Sequence, residues 1–268
     1  MEVILRKTTC FGRYGLQNAV ESVGSAALAK DDLMALQPML IPILLWAVLL
    51  FGGFVFGKLW TDRTRRMPVW TRMASSLTLV AAAWWIYTVE STATVYTLPA
   101  ALGMTFGFLG DLFMARLIRF SQHVLGGIGS FGIGHIFYVI GFLGTANLLG
   151  LTLSPIPVVM WWVIGAVGWW IAVWRGVTER TPMHMAALPY ALLLSSTAGF
   201  ATSMAVADAR FIPLAVGAAL FLLSDLLLAA RLFRNVFFPL VDDVVWLTYG
   251  PAQMLIVFSS LSVLSALQ

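Results

Sequence analysis

Two aspartates stand in matching apolar settings: Asp111 within TFGFLGDLFMARLIRF (residues 105–120) and Asp225 within ALFLLSDLLLAARLFR (residues 219–234). Each follows a small residue, Gly110 or Ser224, and each is followed within six residues by an arginine, Arg116 or Arg231. Paired carboxyls in unlike surroundings can divide acid and base work around a cationic transition state. Two further motifs carry polar groups inside apolar runs. GIGHIFY places His135 and Tyr138 on one helical face, and WLTYGPAQ does the same for Trp246, Tyr249 and Gln253. An imidazole there could position water or relay a proton, and the arginines could meet an anionic headgroup.

The elements that must hold these groups follow from composition. The 268 residues are 60% hydrophobic and 10% charged, with a mean hydropathy of +0.90. A soluble surface needs roughly a quarter of its residues charged, so the chain reads as an integral membrane protein. Its net charge of +4 is loop bias and no nucleic-acid footprint. Cys10 is the sole cysteine, which excludes an intrachain disulfide. No His/Asp spacing resembles a zinc site, with His123 and His184 expected near the interface, so neither metal nor cofactor is expected. No Gly-x-Ser-x-Gly elbow occurs, and Ser195, Ser196 and Thr197 read as packing residues that bond back to helix carbonyls.

Eight apolar runs are long enough to span: residues 39–57, 68–89, 95–116, 124–146, 157–175, 184–206, 211–232 and 245–266. They are continuously apolar, which predicts an all-α polytopic fold of eight transmembrane helices. Residues 1–38 form a polar tail with no signal-peptide pattern, expected to be flexible, or preceding a true start at Met34 or Met39. The odd-numbered loops hold Lys58, Arg63, Arg65, Arg66, Arg116, Arg119, Arg175, Arg180, Arg231 and Arg234, whereas the even-numbered ones hold only Arg210. The positive-inside rule then puts both termini on the non-cytoplasmic side of the cell membrane.

The third and seventh runs repeat one another. Gly103 precedes Asp111 by the same distance that separates Gly217 from Asp225, and the two runs point the same way. That predicts two parallel four-helix halves, about 39–146 and 157–266 within a domain 39–266, with a shared site between them. Gly103, Gly107 and Asp111 share one face and should admit a close neighbouring helix. The plainer reading pairs each aspartate with its own arginine near the interface.

Taken in order, LGDLFMARLIRF, FGIGHIFYVIGF, GAALFLLSDLLLAARLF and LTYGPAQMLIVFS resemble the YhhN-like family of membrane lysoplasmalogenases over about residues 40–265. That resemblance implies a multi-pass hydrolase that cleaves the vinyl ether of a lysoplasmalogen into a fatty aldehyde and a glycerophospho-base. It carries over Asp111, His135, Asp225 and Gln253, together with Tyr138 and Tyr249. The family usually has a Lys-Pro pair where Ser75 and Ser76 stand here. If that lysine holds a lipid phosphate, Arg72, Arg116 and Arg231 are the cations placed to replace it. The chemistry suits the residues: protonation of the alkenyl carbon gives an oxocarbenium ion, water adds, and the hemiacetal collapses. One aspartate would be the acid and the other the ionised partner, in an order the sequence leaves open. The expected partners are a lysophospholipid and the surrounding membrane lipid. The rivals are a proton-coupled transporter, a zinc-dependent membrane lipid hydrolase and, last, a scaffold.

Overall fold

A computed structural model describes residues 39–177 and 179–267. The polar tail, with the flexibility and start-site readings attached to it, lies outside the described residues. The chain divides into 1–44, of which only the opening turns of the first helix are described, and 45–268, which holds the rest.

Helices make up the described chain, and no strand occurs among the described residues. They are α1 (Met39–Phe56), α2 (Val69–Val89), α3 (Thr94–Met114), α4 (His123–Leu148), α5 (Pro155–Trp169), α6 (Pro182–Ala207), α7 (Ile212–Arg234), α8 (Val241–Phe258) and α9 (Ser260–Leu267). Among the described residues seven are long and apolar enough to cross a membrane, which makes this a multi-pass membrane protein. α2 is as long as α3 but falls outside that set, because Thr71, Arg72, Ser75 and Ser76 dilute its apolar residues. All four are buried.

The helix ends follow from local chemistry. Pro68 is held extended ahead of α2, and Pro182 opens α6 behind a reciprocal Thr181/His184 capping box. Asn235 ends α7 in the left-handed region at φ 50°, a conformation that asparagine tolerates. Arg116 turns the chain out of α3 with φ 58°. α5 runs on as a π-helical turn, Trp170–Trp174. The eighth apolar run is two helices, not one. The helix breaks at Ser259, beside the place where the Tyr96 hydroxyl donates to the Ile256 carbonyl at 2.5 Å.

α3 packs on α4 and α7 on α8, with α2 against α3 and α8, and α6 against α4, α5 and α7. Glycines on α3 set the spacing. A Cβ at Gly107 would stand 2.7 Å from Gln253 Nε2, and one at Gly110 would stand 2.8 Å from the Phe131 ring. The expected small-residue groove is therefore real, and side chains from both α4 and α8 fill it.

One end of the bundle is closed by a buried carboxylate. Asp243, 1% exposed, accepts from the Arg66 N–H at 2.5 Å and from the Met67 N–H at 3.0 Å. Alongside it, Leu240 N–H donates to the Arg63 carbonyl and Asp242 N–H to the Thr64 carbonyl. The α1–α2 loop is thus clamped to the start of α8. Asp243→Ala leaves two backbone donors unpaired and is expected to lower stability by roughly 2–4 kcal/mol. A fall in the detergent unfolding midpoint and faster proteolysis between residues 57 and 68 would show it; an unchanged midpoint would mean the clamp contributes nothing.

Candidate active site

The clamped end holds a chamber of about 740 Å³. Its wall comes from the α1–α2 loop (Asp62, Thr64, Arg65), α2 (Arg72, Met73), the end of α3 (Asp111, Arg116), α4 (His123, Phe131), α7 (Asp225, Arg231) and α8 (Asp242, Trp246, Tyr249). The basic loops between α1 and α2, α3 and α4, and α7 and α8 therefore converge on one cavity. The Asp62 carboxylate at its rim is held below the usual carboxylate range by the Thr64 N–H and hydroxyl.

Asp111 and Asp225 both face this chamber, from α3 and α7. Asp111 is 3% exposed, and its Oδ2 accepts from the Ser76 hydroxyl at 2.5 Å and the Tyr249 hydroxyl at 3.1 Å. Gln253 Nε2 donates to the Tyr249 oxygen at 3.1 Å, and the Tyr138 hydroxyl donates to Gln253 Oε1 at 2.7 Å. The result is a relay with one direction, Tyr138 to Gln253 to Tyr249 to Asp111. Every member hands its hydrogen toward the carboxylate, an arrangement suited to an ionised acceptor. Asp225 is held differently. Tyr190 donates to its Oδ2, and among the described residues its Oδ1 has only the Ser224 hydroxyl nearby, at 3.5 Å.

A second, apolar crevice of about 60 Å³ opens beside the chamber. Ile128, Val173, Ala187, Tyr190, Ala191 and Leu226 line it, and it shares Phe131, Leu228 and Asp225 with the chamber wall. Asp225 thus stands where polar and apolar spaces meet, whereas Asp111 borders only the polar one.

Among the other residues singled out by sequence, Tyr249, Arg116 and Arg231 line the chamber; His135, Tyr138 and Gln253 do not. The single cavity expected to gather all of these side chains is accordingly a chamber with a buried layer behind it, because Gly103 and Gly107 let Tyr138 and Gln253 sink between the helices. His135 is 1% exposed; its Nδ1 contacts Thr197 Oγ1 at 2.9 Å, and its ring lies 4.4 Å from that of Phe221. Thr197 already donates to the Leu193 carbonyl, so the bond runs from Nδ1–H to Thr197. Nε2 then has no partner among the described residues. Ser195 and Ser196 bond back to the Ala191 and Leu192 carbonyls, which marks them as packing residues.

The plainer reading, in which each aspartate pairs with its own arginine, does not match these positions. Arg116 is exposed, and Arg231 Nε faces Asp242 Oδ1 at 3.6 Å. Among the described residues no group of three or more His, Cys, Asp and Glu is placed to hold a metal ion. Sequence reasoning missed Ser76 and Tyr190 as carboxylate donors. Their signal is spacing, since each stands 35 residues before the aspartate it contacts.

The YhhN family pattern matches residues 67–260, which takes in α2 to the start of α9 and every residue of the relay. The chain belongs to the YhhN family. No curated protein and no solved structure matches it. Within this YhhN chain the relay depends on Gly107, so Gly107→Leu should push Gln253 off Tyr249 and destabilise the fold by about 1–3 kcal/mol. Pairing it with Gln253→Ala should return most of that loss in a double-mutant cycle of unfolding midpoints. Additive losses would show that the two side chains do not compete for the same space.

Proposed function

We propose that this protein hydrolyses the vinyl ether bond of a lysoplasmalogen, releasing a fatty aldehyde and a glycerophospho-base. The observation that carries the reading is the place of Asp225 at the border between a polar chamber and an apolar crevice. The vinyl ether of a single-chain lipid lies at the corresponding border, between glycerol and hydrocarbon. With the headgroup in the chamber and the chain entering the crevice, the tail-side alkenyl carbon falls to Asp225 and the ether oxygen lies toward Asp111.

The geometry supports a division of labour. Asp225, with an oxygen lacking a close donor, gives its proton to the tail-side alkenyl carbon. The neighbouring carbon becomes an oxocarbenium centre, stabilised by Asp111, which Ser76 and the tyrosine relay hold as a hydrogen-bond acceptor. Water adds to that carbon and passes a proton to a carboxylate. The glycerol oxygen then takes a proton as the C–O bond of the hemiacetal breaks, leaving the aldehyde. Tyr249 positions Asp111 and Tyr190 positions Asp225. His135, Tyr138 and Gln253 act from behind, His135 through the Tyr190 ring 6.4 Å away. Arg116 and Arg231 stand at the wall where the headgroup enters.

The wider arrangement belongs to the same proposal: α2 as an eighth crossing, two parallel halves of four helices, and both termini on the non-cytoplasmic side of the cell membrane. Matched pairs support the halves. The offset that carries Asp111 onto Asp225 also carries Gly103 onto Gly217, Ser76 onto Tyr190 and His135 onto Tyr249. The contacts α2–α3, α3–α4 and α2–α8 likewise have counterparts in α6–α7, α7–α8 and α6–α4.

Purified protein in detergent should release aldehyde from a lysoplasmalogen, and Asp111→Asn or Asp225→Asn, each shown folded, should lower kcat by at least about a hundredfold. Full activity in either variant would remove that carboxylate from the mechanism. A folded, inactive parent that instead moves solute with protons across proteoliposomes would replace the hydrolase with a transporter.

A further inference from the structure

Arg72 is the cation that the reaction above leaves unused. It stands in the first turn of α2, is 9% exposed and lines the chamber. Its guanidinium lies 5.4 Å from the Trp246 ring centroid, yet its Nε has no hydrogen-bond partner and it forms no ion pair among the described residues. Asp242, Asp243 and Asp111 lie near enough to act on Arg72 through space, yet none pairs with it, and these carboxylates, like Asp62 and the Tyr190-bonded Asp225, have partners of their own. Asp243 accepts from two backbone N–H groups, Asp62 from Thr64, and Asp111 from Ser76 and Tyr249. Asp242 faces Arg231. A buried guanidinium keeps five N–H donors aimed in a fixed fork, and leaving them unpaired is costly. An anion with several oxygens would satisfy them, and a phosphate matches the fork two bonds at a time.

We propose that Arg72 is the docking group for a phosphate in this chamber. The neighbouring cations are less free to serve. Arg231 Nε also lacks a hydrogen-bond partner among the described residues but is ion-paired with Asp242 at 3.6 Å, Arg65 lies 3.9 Å over the Trp60 ring, and Arg116 is exposed. Ser76 follows Arg72 by one helical turn, about 6 Å along the axis, and Ser76 is bonded to Asp111. A three-carbon glycerol separates phosphate from ether oxygen by a comparable reach. This spacing argument rests on the lysolipid reading; the anion site itself rests on the unpaired guanidinium.

Binding is tested first, because it needs no turnover. Inorganic phosphate, glycerol 3-phosphate and a non-cleavable 1-alkyl lysophospholipid are titrated by calorimetry into the detergent-purified full chain. Arg72→Met should weaken whichever anion binds by at least about tenfold. Arg72→Lys should recover part of that, and Arg119→Met, outside the chamber, should change nothing. Binding of inorganic phosphate identifies a site for the free anion; binding of the alkyl lysolipid alone identifies the headgroup as its source. Kinetics give a second readout. On a lysoplasmalogen Arg72→Met should raise KM by at least about tenfold with kcat nearly kept, while on a phosphate-free alkenylglycerol both constants should match the parent. A parent that cleaves no vinyl ether but binds the alkyl lysolipid through Arg72 would end the hydrolase reading and keep the anion site. Binding indifferent to Arg72, or an equal loss of kcat on both substrates, would overturn the inference.

Discussion

Asp111 obliges three helices to meet. A carboxylate withdrawn from water inside an apolar bundle needs donors at close range, and none of its own helix's side chains supplies one. α2 brings Ser76, α8 brings Tyr249, and α3 carries the acceptor itself. The surrounding packing serves that meeting. Gly107 lets Gln253 lie close enough to support Tyr249, and Gly103 gives Tyr138 room to support Gln253. A row of glycines on one helix is thus converted into a row of oriented hydroxyl and amide groups behind a single oxygen.

The partner carboxylate is bound by the same logic with a different result. Asp225 also takes a hydroxyl from a residue 35 positions earlier, but that residue is a tyrosine and not a serine. The longer side chain comes from the α6 side and forms part of the apolar crevice. α3 and α7 therefore place their acids in unequal surroundings: one at the end of a polar relay, one against hydrocarbon. Unequal surroundings are what allow like groups to take unlike roles.

The α1–α2 loop gives the chamber its third side. Asp243 binds two backbone N–H groups of that loop, so the basic residues on it are fixed at the chamber rim. The same loop leads directly into α2, whose first turn carries Arg72. One buried carboxylate on α8 thereby positions both the roof of the chamber and the entry of α2, which carries Arg72 and Ser76.

The sequence by itself determined the membrane class, seven of the crossing helices within a few residues, the two aspartates in matched settings and the family. These are properties of composition and spacing along one chain. It also marked Ser195, Ser196 and Thr197 as packing residues, since a hydroxyl in an apolar helix has its own carbonyls within reach. It did not show that His135, Tyr138 and Gln253 lie behind the chamber wall, that the last apolar run breaks at Ser259, or that Arg231 turns to Asp242. Each of these involves a partner from a distant helix: Thr197 for His135, Tyr96 for the Ile256 carbonyl, Asp242 for Arg231. Only tertiary packing decides which of several possible donors reaches an acceptor first. Where a polar group is packed between helices, out of reach of water, that choice fixes the site.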